Sequence, residues 1–235
     1  MPYAVASFAA LTLRERFIRN FLESDRWRLL MNGLLVTLKV SFFAILIGIV
    51  LGVLLALLRI SKRKLLSAPA GAYIDVIRGT PMVVQLLIFY FVIFGPIKWI
   101  DKTWIAIMAF GFNSGAYVAE IVRGGILSVD HGQTEAGRSL GLTEAMTMRY
   151  IVLPQAFKNI LPSLGNELIV LIKETSILGY IGVTDLARVG DQIKTRTLDA
   201  FMPLIAVAAV YYGLTKTLSL LLARLERRLR ESDQR

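Results

Sequence analysis

Cysteine is absent from the 235 residues. That excludes disulfides, thiol nucleophiles and cysteine-ligated metals. Histidine is almost absent too. His131 stands alone, so no histidine pair and no H-E-x-x-H helix can be built, and a lone loop histidine is most often solvated. Charged residues make up only 19% of the chain. No G-x-x-x-x-G-K-[ST] stretch occurs, so the chain has no phosphate loop for nucleotide hydrolysis. No pair of aspartates sits inside an apolar run, which removes the pattern of a membrane-embedded enzyme. Nor does a basic segment lead into an apolar run with a small-residue cleavage site, so no signal peptide is expected.

Apolar residues are what the chain has in quantity. They form 55% of it, and the mean hydropathy is positive. This composition predicts a polytopic membrane protein. The net charge is +10, yet the basic residues fall mostly between and after the apolar runs. Loops on the cytoplasmic side account for them, and no nucleic-acid partner is expected.

Five spans are predicted, at about 30–58, 73–94, 103–127, 161–181 and 201–222; the first is longer than the ~20 residues a crossing needs and is expected to tilt or protrude. The first holds Gly48 and Gly52 in a G-x-x-x-G pattern suited to close helix contact. The second carries Arg78-Gly79-Thr80-Pro81, where a missing donor and a flexible residue predict a kink near the membrane face. Arg78, Met82, Gln85 and Phe89 are expected on one stripe of it. In the third, Asn113, Tyr117, Glu120 and Gly124 share a face. The fourth carries Asn166, Glu167, Lys173 and Glu174, which is too polar to face lipid all round and predicts a pore-lining or dimer-facing helix. Residues 182–200 are read as a polar loop, and 8–30 as an amphipathic surface helix.

Charge on spanning helices is costly, about 2.5–3.5 kcal/mol for an acid at the bilayer centre, so these groups should face protein or water. Glu120 has two readings: an ion pair with Arg123 three residues on, or a substrate contact. Arg78, Glu120 and Glu167 are candidates to bind a charged or zwitterionic solute, with Gln85 and Asn113 as neutral partners.

Between the third and fourth spans lies EAGRSLGLTEAMTMRYIVLP, residues 135–154. Thr134 can cap a short helix through Leu140, and Gly141 can end it in a left-handed conformation. Thr143 can start a second helix, which Leu153-Pro154 stops or bends. The product is a two-helix elbow, either lying on the membrane surface or docking into a partner.

This stretch resembles the cytoplasmic coupling loop of ABC importer permeases, E-A-A, three residues, Gly, nine residues, Ile-x-Leu-Pro. Glu135, Ala136, Gly141, Ile151, Leu153 and Pro154 match it, and Gly137 departs where the second alanine usually stands. Arg78-Gly79-Thr80-Pro81, the run 117–124 and Lys173-Glu174-Thr175-Ser176 extend the similarity over about 30–230, toward permeases of the polar amino-acid uptake branch of type I importers. The resemblance implies an all-α integral membrane protein with about five transmembrane helices and a cytoplasmic coupling-helix loop. It implies ATPase contact through Glu135, Ala136, Gly137, Gly141, Leu153 and Pro154. Its implied partners are ABC ATPase subunits that use ATP-Mg, a second permease subunit, an extracytoplasmic substrate-binding protein, an amino acid and the lipid bilayer. The chain itself is expected to be non-catalytic and to bind no cofactor or metal.

The predicted division is an N-terminal segment 1–29, a permease domain 30–223 with its coupling loop at 128–160, and a basic tail 224–235. The location implied is the bacterial cytoplasmic (inner) membrane. The basic loop 59–64, the elbow and the tail fall on one side, which places the C-terminus in the cytoplasm and the N-terminus outside. The arginines near the N-terminus oppose that placement. An importer for another small polar solute and a stand-alone secondary transporter remain as alternatives; the latter predicts inverted repeats and no docking loop.

Overall fold

The computed structural model describes residues 12–97 and 99–231. Among the described residues every regular element is helical. They are α1 (Leu13–Phe17), α2 (Arg26–Ile60), α3 (Lys64–Arg78), α4 (Met82–Leu87), α5 (Lys102–Leu127), α6 (His131–Ser139), α7 (Glu144–Thr147), α8 (Leu153–Glu174), α9 (Leu186–Thr197) and α10 (Phe201–Glu231). Three runs are long and apolar enough to cross a membrane: Leu13–Ile60, which holds α1 and α2, then α5 and α10. A fourth arises if the bent pair α3 and α4, extended to Ile93, is one span.

The axis of the fold is the pairing of α2 with α5. Their backbones approach because small residues line the seam. A Cβ on Gly48 would sit 2.7 Å from Ser114 Oγ, and one on Gly52 would sit 2.6 Å from Val118 Cβ. Gly111 and Gly115 answer from α5, lying against Ile47 and Leu51. The Gly48–Gly52 motif therefore does face a helix, and a matching pair on α5 completes it. Val40, Ala44, Ile107, Phe110 and Leu171 are buried in the core around this seam. By contrast only 6% of the apolar window of α10 is fully buried, which leaves a face for lipid or another chain.

Four expectations need correction. The stretch 73–94 is not merely kinked at 78–81 but sharply bent there, α3 and α4 meeting at 104°. Arg78 therefore ends a different helix from Gln85 and Phe89 and does not share their stripe. The polar stretch 182–200 contains α9. Asp185 caps it by accepting from the amides of Ala187 and Arg188, and Leu186, Val189, Ile193 and Thr197 bury one helical face. The amphipathic helix expected over 8–30 breaks at Ser24 and Asp25, both at positive φ; its residues 8–11 lie outside the described residues. Finally, helix α8 runs on from the elbow through Pro154 rather than stopping there, since a proline in the first turn needs no amide partner.

Candidate functional site

Two groups of polar residues lie along α5. The upper group begins where the chain bends. Pro81 donates no hydrogen bond, and the turn leaves carbonyls unpaired. Gln85 reaches back and donates through Nε2 to Ile77 O at 2.7 Å, Thr80 O at 3.1 Å and Thr80 Oγ1 at 2.8 Å. Its Oε1 accepts from Asn113 Nδ2 at 3.0 Å. Gln85 and Asn113 are thus brought together, and the donors of Gln85 are engaged in holding the bend.

Beside Asn113, Ser114 donates to Glu167 Oε1 at 2.9 Å. Glu167 is 8% exposed, yet no cation lies beside it among the described residues. Glu174, two helical turns further along the same stripe of α8, is half-buried, with the charge of Lys173 next to it. A buried carboxylate with one neutral donor is an incomplete arrangement, since burial of charge is costly unless it is paired. Ser114 was not singled out from the sequence. Only the packing of α5 against α8 reveals it.

The lower group sits about 10 Å further along α5, seven residues at 1.5 Å each. Glu120 accepts from Arg123 Nε at 3.0 Å and Nη2 at 2.8 Å. Arg78 stands 3.8 Å from the same carboxylate and its guanidinium lies over the Tyr117 ring at 5.4 Å. Glu120 is therefore paired, and of its two sequence readings the ion pair is the one seen. Arg78 and Glu120 are brought together by the bend, not by a shared helix face.

The elbow is the second candidate site. Asp130, not Thr134, caps α6 by accepting from Gly132 N at 2.7 Å. The helix ends at Ser139, and Gly141 follows at φ +81°, the left-handed conformation the sequence predicts. Its amide donates to Arg138 O and that of Leu142 to Gly137 O, closing the helix end. Thr143 caps α7 by accepting from Met146 N at 3.3 Å. Glu135 is exposed, with its carboxylate 3.1 Å from His131 Nδ1, and Ala136 and Pro154 are exposed beside it. Leu140 is 81% and Tyr150 62% exposed. Gly137 is buried inside the elbow, so of the six expected contact residues it alone is turned inward. Leu153 is 44% exposed.

A family model described as "Binding-protein-dependent transport system inner membrane component" matches residues 48–231. The chain belongs to that family. This permease is 42% identical over 204 residues to a putative glutamine transport system permease protein GlnP of Rickettsia bellii (strain RML369-C), covering 85% of this chain and 92% of the relative. It is 40% identical over 205 residues to the arginine transport system permease protein ArtQ of Bacillus subtilis (strain 168), covering 87% and 94%. Among solved structures, an amino acid ABC transporter determined with histidines matches at 47% identity with a TM-score of 0.83, over 88% of this chain and 98% of that one. An inward-facing MetNI methionine transporter shares the fold at 20% identity, TM-score 0.71, over 86% and 97%. The permease fold of type I ABC importers is thereby established for this all-helical chain.

Proposed function

We propose that this permease forms the translocation path of an ATP-driven amino-acid importer, and that its elbow docks onto partner ATPase subunits. The elbow carries the reading: outside the apolar spans it exposes the large apolar side chains of Leu140 and Tyr150 beside the carboxylate of Glu135, and such apolar groups mark a surface that a partner covers. Glu135, Ala136, Gly141, Leu153 and Pro154 are the ATPase-facing residues, and ATP-Mg belongs to that partner. A second permease subunit covers the exposed face of α10, and an extracytoplasmic binding protein delivers the solute. The chain crosses the inner membrane five times, with α8 as a polar crossing, the N-terminus outside and the C-terminus in the cytoplasm. ATP-driven closure of the ATPases moves the elbows, and the spans rock between two arrangements.

The relatives divide between glutamine and arginine transport. In this chain Glu167 favours a substrate that brings a positive group, because it is buried and lacks a cation. Asn113 and Gln85 line the path beside it, while Arg78 and Glu120 belong to a paired cluster nearer the elbow. Uptake into vesicles holding the intact complex, with arginine and glutamine in competition, tests this. Wild type should prefer arginine, and Glu167→Gln should lower that preference by about tenfold, the equivalent of 1.4 kcal/mol. An unchanged preference removes Glu167 from the substrate path.

A further inference from the structure

We infer that Gly137 and Thr147 are a matched pair that sets the angle of the elbow, and so positions Glu135 and Leu140 against the ATPase. The inference rests on the coupling role proposed above. The side-chain contact at the inside of the elbow is theirs. Gly137 is the buried residue of α6 and Thr147 the buried residue of α7; their neighbours in both helices are turned outward. The two meet without a gap. A Cβ on Gly137 would lie 2.9 Å from Thr147 Cγ2, 3.0 Å from Thr147 Oγ1 and 2.9 Å from Ile151 Cδ1. Thr147 is a β-branched side chain on a short helix, so an added methyl at Gly137 forces a shift of Thr147 or of the helix that carries it.

Thr147 carries a second mark. Its Oγ1 is the buried side-chain polar atom left without a hydrogen-bond partner among the described residues. Buried hydroxyls are normally satisfied, and this one stands out for that reason. The pair is the close contact at the inner corner of an elbow whose outer corner is Gly141. It also accounts for the glycine at 137: with threonine opposite, alanine does not fit.

The experiment uses the complete complex in vesicles and measures solute moved per ATP hydrolysed, alongside the amount of assembled complex. Gly137→Ala is expected to assemble normally and to lower solute moved per ATP by about tenfold, a typical consequence of overpacking a tight contact. Thr147→Ala removes two of the three close atoms, leaving the flexible end of Ile151, and should lose little. The double variant Gly137→Ala/Thr147→Ala should recover most of the loss, which a merely structural defect at Gly137 would not allow. Full coupling in Gly137→Ala, or a double variant no better than the single, overturns the inference. Glu135→Arg in the same assay keeps the two claims apart. If Glu135→Arg uncouples while Gly137→Ala does not, the pair fails and the docking role stands; if neither does, the docking role itself fails.

Discussion

Asp199 shows how much a single residue can organise here. Its carboxylate is buried just before α10 and accepts from Arg16 Nη2 at 2.6 Å and Nε at 3.0 Å, from Asn20 Nδ2 at 2.9 Å and from the amide of Phe201 at 3.1 Å. Thr197 Oγ1 completes the set by donating to Asn20 Oδ1 at 2.7 Å. The N-terminal segment is thus tied to the turn between α9 and α10. The Arg16 hydrogen bonds hold the Asp199 carboxyl below its ordinary value of 3.8. A depressed carboxylate contributes stability above its unfolded pKa and loses it as pH falls through the folded one. Asp199→Asn should therefore lower stability at neutral pH by about 1.5–3 kcal/mol. In thermal melts of the purified protein, the gap to wild type should stay constant down to about pH 4 and close below it. A gap that closes already near pH 6 would contradict this. Little of the network was legible in the sequence, because its members lie about 180 residues apart and signal neither a motif nor a period. Glu120 with Arg123, three residues apart on one helix, was legible; Glu167 with Ser114 was not, since that contact exists only where two helices cross.

Among the elements, α2, α5 and α10 could be read from long apolar runs, and the elbow from Gly141 and Thr143. The place of the bend was legible in Arg78-Gly79-Thr80-Pro81. Its 104° was not, because that angle depends on Gln85 satisfying the freed carbonyls and on Ile74 packing against Ala119. Helix α9 was missed because twelve residues rich in charge look like a loop until Asp185 is seen as its cap. Asp185, Thr37 and Tyr211 join it to α2 and α10: Leu186 N donates to Thr37 Oγ1 at 3.3 Å and Tyr211 Oη to Asp185 at 3.3 Å. Its far end carries exposed Thr195. The absence of native cysteine makes the side of each element directly measurable. In intact cells, Thr195→Cys should react with an impermeant thiol reagent, while Ser61→Cys after α2 and Ser139→Cys in α6 should react only once the cytoplasmic side is opened. Protection of Thr195→Cys in intact cells, with labelling from the cytoplasm, would overturn the five-crossing topology.

At the scale of the molecule, three parts meet: a tight α2–α5 seam, a bent α3–α4 unit that carries Gln85 and Arg78, and an elbow continuous with α8. Because α7 runs through its π-helical turn into α8 without a break, the elbow is continuous with the helix that holds Glu167. In the proposed mechanism that continuity would carry movement of the elbow toward Glu167. Gly141 is the one residue of the elbow at positive φ, where a β-branched side chain is strained by about 1–3 kcal/mol. Nothing lies within 4 Å of its Cβ direction, so a larger side chain there disturbs the backbone alone. The central measurement is ATP-dependent amino-acid uptake by vesicles containing this permease with its copurifying ATPase and binding protein, for wild type, Glu135→Arg and Gly141→Val. Wild type should show uptake that needs ATP, while both variants should assemble in the membrane in normal amounts and lose uptake. Normal uptake by both variants, with the ATPase still attached, would contradict the account.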